Sequence, residues 1–295
     1  MHARASERRA GEVRSAKCKV PSTYFAFCIL HFALLLSLLS SCAPKSLTLP
    51  TGASTPLADP TPFSEALDHC DDVATLTAEI GLSGRAGGQR LRGTLHAGFA
   101  PPESLRLEAV APFGGPFFLL AGKDGRATLL LPREDRVLRD APASAILGAL
   151  AGLDQAPSDL RAWIEGCPAA SGAASNPRSY GSDWAAADLG SGRRLWVHRL
   201  PASQAAGRPG WRLVAVNAGP LTIEFAEHRG TQPGRLRIRR PEAPGAAALD
   251  LGLALRQVER GVQVPDAAFT VDVPANAVAI TIDDLRQSGP LRDRK

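Results

Sequence analysis

Thr75-Leu76-Thr77-Ala78-Glu79-Ile80-Gly81-Leu82 decides how this chain is read. Leu76, Ala78, Ile80 and Leu82 fall on one side of an extended backbone, and Thr75, Thr77, Glu79 and Gly81 fall on the other. A period of two is the mark of a strand with one face buried and one wet. The pattern repeats downstream. Gly84 to Gly88 punctuates, and residues 89–99 continue as a second strand. Residues 104–110 set Leu105, Leu107 and Ala109 against Arg106 and Glu108. Beyond the turn Pro112-Phe113-Gly114-Gly115-Pro116 come residues 117–121. The turn Gly122-Lys123-Asp124-Gly125 then leads to residues 127–131 and 136–138. Short strands at regular spacing, broken by Gly, Pro and Asp, predict an antiparallel sheet curled into a sandwich or barrel.

Outward from this block, the period changes once. Ile146, Leu147, Leu150 and Leu153 are spaced for a helix, with Pro142 near its first turn and Gly152 at its end. Pro157-Ser158-Asp159-Leu160 opens a second short helix through Trp163 and Ile164 to Cys167. A helical pair inside a sheet protein must pack on one face or plug one mouth. Residues 168–179 read as a loop, rich in Ala, Ser, Gly and Pro. Strands resume at 194–200, 211–216, 221–226, 235–240 and 247–255, where Leu249, Leu251, Leu253 and Leu255 alternate strictly. Residues 265–273 and 278–282 read as the last strands, and 285–295 as a polar tail. Upstream, residues 62–70 read as a short helix started by Pro62 and capped by Thr61. The expectation is one mainly β (α+β) domain over residues 62–284.

The chain begins with a basic leader, an apolar run from Tyr24 to Leu39, and Leu39-Ser40-Ser41-Cys42. These are the parts of a secretory signal, and the last four residues resemble the lipobox of bacterial lipoproteins. The resemblance implies cleavage between Ser41 and Cys42 and a diacylglyceryl thioether on Cys42, with further acylation of the new terminus. Several acyl chains, each buried CH₂ worth roughly 0.8 kcal/mol, make a durable anchor. The alternative is a transmembrane helix, but the apolar run is short of the roughly 20 residues a span needs. Residues 1–41 are then signal peptide and 42–61 a Pro, Ser and Thr-rich tether.

The leader also accounts for the charge. The chain carries +5, yet residues 1–41 hold six basic and two acidic residues, so the exported part is near +1. The basicity belongs mostly to the leader, so the charge argument for nucleic acid fails. Of the five cysteines, Cys18 and Cys28 leave with the leader and Cys42 carries lipid. An even pair outside the cytoplasm, Cys70 and Cys167, is most simply a disulfide, two free thiols being the alternative.

Chemistry-bearing motifs are missing. The sequence has no Gly-x-Ser-x-Gly, His-Glu-x-x-His, P-loop or Gly-x-Gly-x-x-Gly. His69, His96, His198 and His228 are scattered. Asp71-Asp72 and Asp283-Asp284 read as caps or ends of elements. We expect no enzyme, no metal and no cofactor. Arg235 to Arg240 is the one basic cluster, read either as a solvated strand face or as a headgroup contact.

Signal and lipobox, an antiparallel meander, a central helical insertion, further strands and two segments carry a family resemblance. The segments are Arg106 to Gly114 (Arg-Leu-Glu-Ala-Val-Ala-Pro-Phe-Gly) and the Phe-x-Val-x-Val-Pro of Phe269 to Pro274. Together they resemble the LolA/LolB lipoprotein-localisation family. The resemblance implies an unclosed β-barrel with a helical lid over an apolar cavity that holds acyl chains of a lipid or lipoprotein. Candidate lining residues are Leu76, Ile80, Leu107, Phe117, Leu119 and Leu130 from the sheet and Ile146, Leu147 and Leu150 from the lid, with Phe113 on an apolar loop; close-packed core is the alternative for each. Ala43 after the cysteine implies the outer membrane, facing the periplasm, for a monomeric lipid-anchored protein. The alternative is a scaffolding lipoprotein of the envelope whose β domain meets a protein partner.

Overall fold

In the computed structural model, residues 47–70, 75–110, 115–168, 174–204 and 208–288 are described. The leader, Ser41, Cys42, the Asp71-Asp72 pair and Phe113 lie outside them. Fifteen strands form one sheet: β1 (Thr55–Pro56), β2 (Leu76–Ala86), β3 (Gln89–Ala100), β4 (Ser104–Val110), β5 (Phe118–Lys123), β6 (Arg126–Leu131), β7 (Arg136–Pro142), β8 (Ser175–Tyr180), β9 (Trp184–Leu189), β10 (Arg193–Leu200), β11 (Gly210–Ala218), β12 (Leu221–Ala226), β13 (Arg235–Arg240), β14 (Leu249–Arg260) and β15 (Val278–Ala279). Among the described residues, four helices accompany them: α1 (Thr61–Ala66), α2 (Ala143–Ala151), α3 (Pro157–Glu165) and α4 (Ile282–Ser288).

The strand order is β1-β8-β9-β10-β11-β12-β13-β14-β2-β3-β4-β5-β6-β7-β15. Two meanders, β2 to β7 and β8 to β14, are joined by the long antiparallel pair β14–β2. All pairings are antiparallel except β15 with β7. The sheet does not close on itself, because β1 and β15 end it on opposite sides. Each edge strand is only two residues long, and β1 ends on Pro56, which leaves little edge for another chain to pair with. This is an unclosed β-barrel.

Register makes the inner face continuous. Leu255, Ile80, Leu95 and Ala109 follow one another across β14, β2, β3 and β4. Leu107, Leu120 and Leu129 do so across β4, β5 and β6. Ile223, Ile238 and Leu251 continue the row across β12, β13 and β14. Because the side-chain period is two, this pairing places these apolar rows on one face of the sheet. Helices α2 and α3 cover that face, and both end on a glycine in the left-handed region, Gly152 and Gly166.

Several expectations need correction. The stretch read as a loop over 168–179 contains all but the last residue of β8, and β9 follows it. Ser-Asn-Pro-Arg-Ser-Tyr is too polar to show alternation, and the three alanines of β9 are buried on both faces. Residues 265–273 are not a strand: Asp266–Phe269 is a 3-10 turn that packs on β4 and β5. It is tied down by Arg106, whose guanidinium donates to the Ala268 carbonyl at 2.9 Å, and by Lys123 to Asp266 at 2.8 Å. The residues read as a tail begin with the last four residues of α4, whose Leu285 is fully buried. The tether is shorter than expected, since β1 pairs with β8 and Arg178 holds Ser54. The cap of α1 is Pro60 rather than Thr61.

Candidate functional site: an apolar cavity beneath two helices

The cavity begins with α2 and α3. Pro142 and Pro157 sit where the first helical N–H groups need no partner, and the two glycines stop each helix after nine residues. Such short helices draw their stability from the apolar face they bury. Leu147, Leu150 and Ala151 of α2, Leu153 beyond it, and Leu160, Trp163 and Ile164 of α3 point at the sheet. Ile80, Leu82, Leu95, Phe99, Leu107 and Phe118 meet them from one meander, and Leu236, Ile238, Leu251 and Leu253 from the other. The space enclosed is about 100 Å³. Every lining residue is apolar. Cavities of this size and lining stay dry and favour a hydrocarbon over water. Leu82, Leu95 and Leu253 are only half-buried, so the cavity reaches the surface at the β2–β3 and β13–β14 side.

Four sequence candidates, Ile80, Leu107, Leu147 and Leu150, stand in this lining. Leu76 and Ile146 are fully buried in the core but away from the cavity. Leu119 and Leu130 are across from one another on β5 and β6, on the opposite face from Leu120 and Leu129. They cannot reach the cavity, because neighbouring strand residues point to opposite faces. Phe117 precedes β5, and the Arg133 guanidinium lies over its ring at 4.1 Å. Sequence reasoning missed the remaining lining residues, among them Phe99, Phe118 and Trp163 and, on β13–β14, Leu236, Ile238, Leu251 and Leu253. The alternation of β13 and β14 was visible, but not that β14 would pair with β2.

The basic strand β13 is neutralised. Arg235 pairs with Glu227 at 2.8 Å, Arg237 grips Asp250 through two bonds of 2.8 and 2.7 Å, and Arg239 pairs with Glu224. Arg240 spans to the Gly152 carbonyl at 3.0 Å, tying β13 to the end of α2. The Arg237 contact holds the Asp250 carboxyl below its usual range, chiefly through the hydrogen bonds themselves.

Cys70 and Cys167 are bonded to each other, with Cα atoms 5.4 Å apart. Cys167 follows the cap of α3 directly, so the bridge pins the end of that helix to the chain leaving α1. His69 stands beside the bridge, Nε2 at 3.0 Å from the Glu165 carbonyl. Among the described residues, His69, Cys70 and Cys167 are the group close enough to hold a metal ion, but the two sulfurs are spent on each other.

Near this bridge His228 is buried, and its Nε2 lies 2.8 Å from the Leu213 carbonyl. As the neutral ring it donates there, while Nδ1 meets no partner. Burial pushes its pKa down from 6.5 to about 4; the Leu213 bond opposes this, and Arg212 and His69 add to it. Between those two pH values the unfolded chain binds a proton that the folded chain refuses. Stability is therefore full above pH 6.5 and falls as pH drops toward 4, by about 3 kcal/mol from this group. Glu165 acts in the opposite sense, its carboxyl pushed up by burial, so the histidine is isolated by difference. The loss of unfolding free energy from pH 7 to 4.5, measured in urea, should be smaller in His228→Gln than in the parent. Equal losses would assign the acid sensitivity elsewhere.

No family model matches the chain, and no curated protein matches it. Solved structures do. A DUF1329 family protein from Desulfovibrio piger is 14% identical, with 72% of this chain aligned to 98% of that one at a TM-score of 0.40. A LolA superfamily protein from Nitrosomonas europaea is 12% identical, over 72% and 98% of the two chains, at 0.41. LprF from Mycobacterium bovis is 11% identical, over 73% and 95%, at 0.31. What the cavity accepts follows from its own residues.

Proposed function

We propose that this domain is a non-enzymatic carrier that holds an acyl chain of a lipid or lipoprotein in the cavity beneath α2 and α3. It would be anchored through lipid on Cys42 to the periplasmic face of the bacterial outer membrane, and would act as a monomer without a cofactor. One observation carries the reading: an enclosed space lined only by apolar side chains, roofed by two short helices and reaching the surface through half-buried leucines. Each methylene moved from water into such a site gains about 0.8 kcal/mol. A space of about 100 Å³ admits only a few methylenes, so a longer chain requires α2 and α3 to lift from the sheet. That exchange of apolar contacts for apolar contacts needs no chemical step, and cargo would pass on by differential affinity.

The test uses residues 43–295, which contain the whole compact unit Leu49–Lys295, secreted to a bacterial periplasm and purified without detergent. Mass spectrometry of the organic extract should find co-purified lipid near one per chain. In Leu147→Glu, which sets a carboxylate in the cavity roof, the bound lipid should fall at least tenfold; Leu82→Trp, which fills the half-open side without adding charge, should lower it with the fold intact by circular dichroism. Lipid-free parent protein would favour a scaffolding role over a carrier.

A further inference from the structure

The β2–β3 hairpin turns on Gly87 and Gly88, both with positive φ (54° and 78°), the geometry of a two-residue turn that matches strand twist. Its inner face is apolar: Leu82 and Leu95 line the open side of the cavity. Its outer face carries Arg85, Arg90 and Arg92, all exposed. Arg85 is directly across from Arg90, and Arg92 is across from Ser83, two residue pairs nearer the core and so on the same face. Like charges directly opposite on one face of an antiparallel pair are destabilising. Elsewhere on this outer face the pattern is the reverse: Arg237, Arg239 and Arg256 have each found a carboxylate. Among the described residues Arg85, Arg90 and Arg92 meet none. Asp250 stands opposite Arg85 in register, but both its oxygens are taken by Arg237. Glu242 lies on the adjoining β13–β14 connection and is exposed.

We propose that this hairpin tip is a docking surface for an anionic lipid bilayer, with the three arginines meeting headgroup phosphates beside the open side of the cavity. Arginine suits the partner, since its planar fork binds phosphate through paired hydrogen bonds. A bilayer presents phosphates as a sheet of charge, which three cations on one flat face can meet at once. Such a contact would set the cavity opening against the surface that supplies or receives an acyl chain. That purpose rests on the carrier reading; the contact itself does not.

Binding of residues 43–295 to sedimenting vesicles separates the two. Vesicles of phosphatidylcholine with about one-third phosphatidylglycerol should bind the protein at low salt, binding should weaken as salt rises, and pure phosphatidylcholine should bind it poorly. Replacing Arg85, Arg90 and Arg92 together by Gln should lower the partition coefficient roughly a hundredfold. Replacing Arg139, Arg208 and Arg229 by Gln removes the same net charge elsewhere and should leave it within about twofold. No binding, equal binding to both vesicle types, or equal loss in the two triple variants would overturn the proposal. An empty cavity together with arginine-dependent binding would remove the carrier reading and leave the docking surface standing.

Discussion

Replacing Cys70 and Cys167 together by serine is expected to cost about 2–5 kcal/mol of unfolding free energy. The bridge closes a loop across a sequence separation of 97 residues, which holds β2 to β7 and both lid helices. In the unfolded chain so long a loop restricts many conformations, and by chain entropy alone it is worth up to about 4.7 kcal/mol. The folded side contributes as well, because the bridge fixes the end of α3, three of whose residues line the cavity. Urea titrations of the parent, the double serine variant and the parent under a reducing phosphine make the check. The last two should agree with each other and fall below the first. Equal midpoints in all three would show that the bridge does not hold the domain together.

Phe99→Ala should cost about 3–5 kcal/mol. Phe99 is 1% exposed, lies between Leu76 of β2 and Leu105 of β4 in register, and forms part of the cavity wall. Truncation loses the transfer energy of the ring and leaves a void that the paired backbone cannot close. The void would join the cavity, which gives the variant a second signature. An acyl ligand binding the folded state alone raises stability as its concentration exceeds Kd. Added fatty acid should therefore recover more stability in Phe99→Ala than in Leu76→Ala, whose void lies off the cavity. Matching recovery in both would argue that the enlarged space is not where the ligand goes.

How far the sequence foretold this depends on which faces of a strand are buried. Strands β2, β3 and β4 were legible because one face is wet, so the alternation survives in the letters. In β5 and β6 the runs Phe118-Leu119-Leu120 and Leu129-Leu130-Leu131 are apolar on both sides, and parity is lost. Leu119 and Leu130 were assigned to the cavity for that reason, although Leu130 is buried on the other face, over which the 266–269 turn packs. Strand β9 escaped because alanine fills a site buried on both faces without marking either. The strand-like alternation of 269–273 has no neighbouring strand and runs instead beyond the turn on the outer face. The helices were legible through Pro142, Gly152 and Pro157, which act locally. The β13–β14 wall of the cavity was not, since it depends on the pairing of β14 with β2 across most of the domain.

One titration tests the central claim most directly: displacement of a fluorescent fatty acid from residues 43–295 by unlabelled fatty acids of increasing chain length, in the parent and in Leu82→Trp. A cavity that holds an acyl chain predicts saturable binding near one site per chain, affinity rising with each added methylene, and a loss of tenfold or more in Leu82→Trp. Non-saturable binding, or equal affinity in the parent and the filled variant, would contradict it.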